Sequence, residues 1–239
     1  MSNISIESLR VKLFADGANL EQILELNRNS LIKGFTTNPT LMRVAGVTNF
    51  EEFSKQMLGY VSKPISFEVF SDDLDEMTSQ ALKIASWGPN VYVKIPIMNT
   101  RGYSTKSVIE KLVGEKIKVN ITAIMDSSQV AEIIEVLNPV IPSYISVFAG
   151  RIADTGRDPL PILERSLEIM SENPLAELIW ASPREVLNIF QADQIGCHII
   201  TATSEILAKT QIVGKDLLQY SRETVEMFRK DAIACNFKI

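Results

Sequence analysis

The chain is poor in the side chains on which much enzyme chemistry depends. His198 is its one histidine, and Cys197 and Cys235 are its only cysteines. No zinc-ligand spacing is recognisable, and no Ser-His-Asp or Cys-His relay can be assembled from so little. The cysteines stand far apart, so they read as buried free thiols of a reducing compartment rather than as a disulfide. No apolar run reaches 18 residues, which leaves no candidate membrane-spanning helix. The start, Met1-Ser-Asn-Ile-Ser-Ile-Glu7, lacks the basic and apolar pattern of a secretory signal. A soluble, cytoplasmic protein is therefore expected. Acidic residues outnumber basic ones, 29 to 24, which argues against general nucleic-acid or anionic-membrane binding. A local basic pocket for a phosphate is still compatible with that balance.

Low-complexity segments and long linkers are also missing, so a single domain over residues 1–239 is expected. Short β-branched runs alternate with amphipathic stretches along this chain, which is 46% hydrophobic. The runs are Lys12–Asp16, Gly34–Asn38, Ile65–Phe70, Val91–Pro96, Lys118–Ile124, Tyr144–Gly150, Glu177–Ser182 and Gly196–Ala202. Helical periodicity follows each of them: from Leu20, around a break at Gly46, over 73–86, 105–113, from Asp126, over 159–170, 184–191 and 204–209. A last helix is expected over about 215–233. Eight strand–helix units in succession predict an α/β fold, a parallel (β/α)8 TIM barrel with an extra C-terminal helix. An open doubly wound sheet fits less well, because the glycine-rich nucleotide turn is absent.

Strands of a parallel sheet are covered on both faces and should be almost wholly apolar. Here polar residues interrupt them with a period of two, which places these residues on one face. Tyr92 and Lys94 oppose Val91, Val93 and Ile95, and Asn120 and Thr122 oppose Val119, Ile121 and Ala123. Ser66 and Glu68, Phe14 and Asp16, Thr36 and Asn38, and Ser146 and Phe148 behave alike. The helix-facing side of a barrel must be apolar, so the polar set should point into the lumen. Most of its members lie late in their strands, at the end where barrels carry their active sites. The inferred pocket gathers Asp16, Asn38, Glu68, Lys94, Asn120, Thr122 and Ser146.

A buried ammonium is costly unless it is paired or loses its proton, and a neutral lysine is a nucleophile for carbonyl carbon. Lys94 attacking a ketose would give an iminium ion, an electron sink for carbon–carbon cleavage. Asp16 and Glu68 are the two candidate acid–base groups. Asn38, Asn120 and Ser146 suit sugar hydroxyls. Two runs end in arginine, Phe148-Ala-Gly-Arg151 and Ala181-Ser-Pro-Arg184, and two converging arginines suit a phosphate.

These pieces resemble the transaldolases, class I Schiff-base aldolases of the (β/α)8 fold. The resemblance runs nearly end to end. It is carried most specifically by Gly34-Phe-Thr-Thr-Asn-Pro-Thr40, Val91-Tyr-Val-Lys-Ile-Pro96, Val119-Asn-Ile-Thr122 and Ile145-Ser-Val-Phe-Ala-Gly-Arg151. It implies Lys94 as the Schiff-base lysine, Asp16 as the acid–base group of carbon–carbon cleavage, and Glu68 with Thr122 around a catalytic water. It further implies that Asn38, Asn120, Ser146, Phe148 and Ser182 contact substrate and that Arg151 and Arg184 clamp its phosphate. The implied reaction moves a dihydroxyacetone unit between sugar phosphates with no metal or organic cofactor. The implied assembly is a homo-oligomer in which the C-terminal helix reaches a neighbour; packing of that helix on its own barrel is an equally good physical reading.

Fructose 6-phosphate aldolases, close relatives that release free dihydroxyacetone, typically carry glutamine where this chain has Glu68 and tyrosine where it has Phe148. The chain therefore resembles the transferring enzymes more closely. A non-catalytic sugar-phosphate-binding barrel is the third reading, and it would leave the lysine and both acids without a task. Gly17, Arg101, Ala153 and Pro183 depart from the family pattern, and they leave the chain length and phosphate preference of the sugar open.

Overall fold

The protein is represented by a computed structural model describing residues 5–238. The N-terminal reading made on Met1 to Glu7 falls mostly outside the described residues. In chain order the elements are β1 (Lys12–Asp16), α1 (Leu20–Arg28), β2 (Ile32–Thr36), α2 (Pro39–Val44), α3 (Phe50–Leu58), β3 (Ile65–Glu68), α4 (Leu74–Ala85), β4 (Val91–Pro96) and α5 (Lys106–Gly114). They continue with β5 (Val119–Ile124), α6 (Ser127–Ile134), β6 (Ser143–Val147), α7 (Ala149–Asp154), α8 (Leu160–Met170), β7 (Ala176–Trp180), α9 (Leu187–Gln194), β8 (Ile199–Thr203), α10 (Ser204–Lys209) and α11 (Leu217–Ala234). The strands close into one barrel in sequence order, every pairing parallel.

Local chemistry sets the helix starts. Asn19, Asn38, Asn49, Asp73, Asp126 and Asp216 each accept a hydrogen bond from a backbone N–H of the turn that follows. Each satisfies an amide that would otherwise be orphaned. The period-two alternation sorts the core into two parts. Val93, Ile95, Ile121, Leu178 and their like pack outward against the helices. Phe14, Tyr92, Tyr144, Ile179, Ala181 and Ile199 fill the lumen, with Phe148 against them. Phe14 meets Tyr144 edge-on at 5.7 Å between centroids, and Tyr144 stacks on Tyr92 at 3.9 Å. Gly34 makes this plug possible, because a Cβ there would lie 2.4 Å from the Phe14 ring. Asp16, Lys94 and Ser146 each follow a plug residue by two positions, so the plug is the floor beneath the polar set.

Several boundaries differ from the sequence reading, each for a local reason. β2 ends at Thr36 because Asn38 is already the N-cap of α2, with Pro39 at its start. β6 ends at Val147, and what reads as its continuation, Phe148 to Gly150, turns into α7, so Arg151 is helical. The helix expected from Arg184 begins three residues later at Leu187, since Arg184 and Glu185 give their amide N–H groups to Asn188 Oδ1 instead. Cys197 is buried, but Cys235 is exposed. α11 buries none of its residues, and Leu217, Leu218, Val225 and Phe228 are exposed. Packing of this helix on its own barrel is thereby corrected.

Candidate active site

Glu68, Lys94 and Asn120 stand side by side on β3, β4 and β5: Glu68 is the register partner of Lys94, and Lys94 of Asn120. The Lys94 side chain is 6% exposed, and its Nζ lies 3.1 Å from Glu68 Oε2 and donates to the Thr37 carbonyl at 3.1 Å. The buried ammonium thus has a carboxylate and a backbone dipole as partners, which answers the desolvation that burial imposes. Asp16 is housed separately, on the far side of β2. It accepts from Thr36 Oγ1 at 2.7 Å. Burial pushes its carboxyl above the ordinary carboxylate range; Lys94 and the Thr36 bond pull it down, and Glu68 pushes it up further.

Asn120 is fully buried. Its Nδ2 donates to Ser66 Oγ at 2.9 Å, and its Oδ1 accepts from Ser146 Oγ at 2.7 Å. One N–H and one acceptor site of the amide are left over by this chain of bonds. Thr122, the register partner of Pro96, is 1% exposed, and its hydroxyl has no partner among the described residues. A buried hydroxyl in that condition is costly in a finished core, and its full donor and acceptor capacity is unspent. Asn38 spends its Oδ1 on the Leu41 N–H at 2.9 Å, which leaves its NH₂ group for other partners.

The second cluster lies after β6 and β7. Arg184 Nη1 donates to Ser182 Oγ at 3.0 Å, and its Nε donates to Asp154 Oδ1 at 2.9 Å, with Nη2 paired to Asp154 Oδ2. The Arg184 guanidinium holds the Asp154 carboxyl below its usual range, with a further contribution from Arg151. Gly150 is where α7 touches this loop: a Cβ there would fall 1.7 Å from the Ser182 carbonyl oxygen and 3.1 Å from Arg184 Cζ. Two non-glycine residues in the left-handed region, Ala123 (φ 61°) and Ser182 (φ 59°), flank Thr122 and the arginine cluster. Such conformations cost about 1–3 kcal/mol and persist where surrounding structure holds them.

The fold therefore brings Asp16, Glu68, Lys94, Asn120, Thr122 and Ser146 into one lumen, and puts Asn38 at its rim. Phe148, Arg151, Ser182 and Arg184 form the neighbouring group. Sequence reasoning missed Thr36, Ser66, Thr201 and Asp154 as members. Thr36 and Ser66 already carried the right parity; Asp154 is three residues from Arg151 on a helix that the strand-like pattern concealed. Among the described residues no three His, Cys, Asp or Glu side chains converge as a metal site. A groove of about 830 Å³ lies elsewhere, between α1 and α10, and Leu13 and Ile32 reach it from the outer face of the barrel.

Eight parallel strands closed around a lumen with one buried lysine and two differently housed acids define a (β/α)8 barrel of the aldolase type. Solved barrels share this fold: a dihydrodipicolinate synthase family protein from Coccidioides immitis superposes with a TM-score of 0.60 at 12% identity, over 93% of this chain and 76% of that one. The chain belongs to the transaldolase/fructose-6-phosphate aldolase family, which matches it over residues 13–239. Relatives include a "Probable transaldolase" of Thermoanaerobacter sp. (strain X514), 34% identical over 230 residues, covering 96% of this chain and all of that protein. Another of the same name, from Streptococcus equi subsp. zooepidemicus, is 36% identical over 83% of this chain and 89% of its own length.

Proposed function

We propose that this protein is a transaldolase, moving a dihydroxyacetone unit from a ketose phosphate to an aldose phosphate through a Schiff base on Lys94. The observation that carries this reading is the placement of Lys94 Nζ, 3.1 Å from the Glu68 carboxylate, inside a lumen that also holds Asp16 in a separate setting, bonded to Thr36. In this reading Glu68 accepts the proton that Nζ must lose before it adds to the C2 carbonyl, which their 3.1 Å separation supports. Loss of water from the adduct then gives the iminium ion. Asp16 takes the proton of the C4 hydroxyl as the C3–C4 bond breaks, and the bonding pair passes into the iminium to leave an enamine on Lys94. The aldehyde leaves, an acceptor aldehyde takes its place, and the enamine forms the new bond while Asp16 returns its proton. Hydrolysis frees the product and the lysine.

Thr122, with a hydroxyl that no protein group engages, and Glu68 hold the water of imine formation and hydrolysis in this reading. Asn38, Asn120 and Ser146 bind sugar hydroxyls. Ser182, Arg151 and Arg184 receive the phosphate. Phe148 packs against the plug and offers no hydroxyl to that water, which favours transfer to an acceptor over release of dihydroxyacetone. The same reading makes the protein cytoplasmic and free of cofactors, with α11 set against a second copy of the chain, since its exposed Leu217, Leu218 and Phe228 have no cover in their own barrel. Among the described residues no helix is long and apolar enough to cross a membrane.

Borohydride reduction in the presence of fructose 6-phosphate should add one sugar-derived unit to Lys94, located by peptide mass. An unmodified Lys94 with active sugar present counts against the enzyme reading. Glyceraldehyde 3-phosphate should appear only when erythrose 4-phosphate is supplied; its release without an acceptor would assign simple cleavage instead. Native mass by light scattering should fall when Leu218 and Phe228 are both changed to aspartate.

A further inference from the structure

Asp16 is not alone on its side of the lumen. Thr36 on β2 bonds its Oδ1 at 2.7 Å, and Thr201 Oγ1 on β8 lies 2.6 Å beyond the Thr36 hydroxyl. Both threonines are almost fully buried, at 2% and 4% exposure. Because β1 lies between β8 and β2 in the closed barrel, the three groups link three consecutive strands: Asp16 is the register partner of Thr36, and Thr201 that of Phe14, two residues before Asp16.

A hydroxyl carries one proton and two acceptor sites, and its proton turns to suit its neighbours. When Asp16 is ionised, Thr36 donates to the carboxylate and accepts from Thr201. When Asp16 is protonated on Oδ1, it donates to Thr36, whose own proton turns toward Thr201. No proton leaves the chain in either arrangement; only the hydroxyl rotors turn. A single donor fixed to the carboxylate, such as a backbone N–H, would support the ionised form alone.

We propose that Thr36 and Thr201 form a reversible hydroxyl chain that supports Asp16 in both of its protonation states, with Thr36 as a positioning residue for the acid–base group. The proposal deepens the transaldolase reading and rests on the role assigned there to Asp16, which must be base in cleavage and acid in bond formation. The charged groups that face Asp16 are Lys94 from β4 and Glu68 from β3. Its direct neighbours on β2 and β8 offer hydroxyls. Packing alone does not explain the pair, since valine has the same shape as threonine and would fill these positions without a bond to the carboxylate.

The test is a carboxyl-carbon NMR titration of protein labelled at aspartate Cγ, with the Asp16 signal assigned by its loss in Asp16→Asn. Thr36→Val should raise the Asp16 midpoint by about half to one pH unit, because the charge-assisted bond to the ionised carboxylate outweighs, but does not exceed by its full worth, the neutral bond that the same hydroxyl makes to the protonated form. A rise of about two units would mean that only the ionised form is supported, and would overturn the proposal. Thr201→Val should move it the same way by less, and Thr36→Ser should keep it near the wild-type position. In parallel, the acidic limb of kcat/KM with fructose 6-phosphate and erythrose 4-phosphate should follow the NMR midpoint from variant to variant. An unchanged midpoint in Thr36→Val with native near-ultraviolet dichroism overturns the proposal. If Thr36→Val does not fold, an unmoved midpoint in Thr201→Val does so. The titration needs no turnover, so a shifted midpoint in a protein that transfers no dihydroxyacetone would keep the hydroxyl chain and reject the transaldolase reading.

Discussion

Replacing Gly34 by alanine tests whether the floor of the lumen is as tightly built as its geometry requires. The added Cβ would lie 2.4, 2.5 and 2.8 Å from Cζ, Cε2 and Cε1 of Phe14. Carbon atoms settle at about 3.5–4.0 Å, so the ring has to retreat by about 1 Å. Its way is closed by Tyr144, which meets it edge-on at 5.7 Å and is itself stacked on Tyr92 at 3.9 Å. Overpacking of this kind costs roughly 1–3 kcal/mol. Alanine restricts the unfolded chain more than glycine does, which offsets about 0.4–1 kcal/mol. A net loss of about 1–2 kcal/mol lowers Tm by about 2–8 °C for a chain of this length. Urea unfolding followed by tryptophan fluorescence and far-ultraviolet dichroism, at fixed protein concentration, measures the loss directly. Phe14→Leu removes the clashing ring atoms, so the double variant should be more stable than the sum of the single effects by about 1 kcal/mol. Thr36 follows Gly34 by two residues and bonds Asp16, so turnover should fall as well. A Gly34→Ala protein as stable as the wild type, or strict additivity with Phe14→Leu, would refute the reasoning.

Thr122→Val should lower kcat by roughly 10²-fold while stability stays level or rises, because it removes a buried hydroxyl that has no protein partner; a clear loss of stability would show that the hydroxyl serves the fold. Asp16→Asn concerns a carboxyl raised by burial. A raised group contributes stability that is full below its ordinary pKa and is lost as pH rises through its folded value. The asparagine variant should therefore gain on the wild type in urea midpoints as pH rises above the ordinary carboxylate value of about 4, and the opposite trend would refute the burial argument. Asp154→Asn frees the Arg184 fork, and KM for fructose 6-phosphate should rise about tenfold with kcat little changed. Equal effects on unphosphorylated fructose would detach that pair from phosphate binding.

Much of the barrel was legible because strand parity is a local property. Lys94, Asp16, Glu68, Asn120 and Thr122 alternate with apolar residues on their own strands, and this alone assigned them to one face. Asp126 likewise announced its helix through capping chemistry confined to a single turn. Phe148 to Gly150 misled, because an apolar triplet after a strand reads as more strand while Phe148 in fact precedes a six-residue helix. The length of that helix is too short for periodicity to register, and Asp154 was hidden with it.

The amino-acid sequence by itself determined which side chains line a lumen, and through its motifs the family whose chemistry they resemble. Tertiary structure decided which of them touch. Thr36 meets Thr201 across 165 residues of chain only because the closed barrel makes first and last strands neighbours. Asp154 reaches Arg184 from 30 residues away because a glycine at 150 lets α7 press against the Ser182 backbone. Asn120 spends part of its amide on Ser66 and Ser146 because the stagger of the closed barrel brings side chains of β3 and β6 to it from outside its own register pairs. Parity is set within a strand by covalent geometry. Level and adjacency are set by how the strands stagger and close, and no single stretch of sequence contains them.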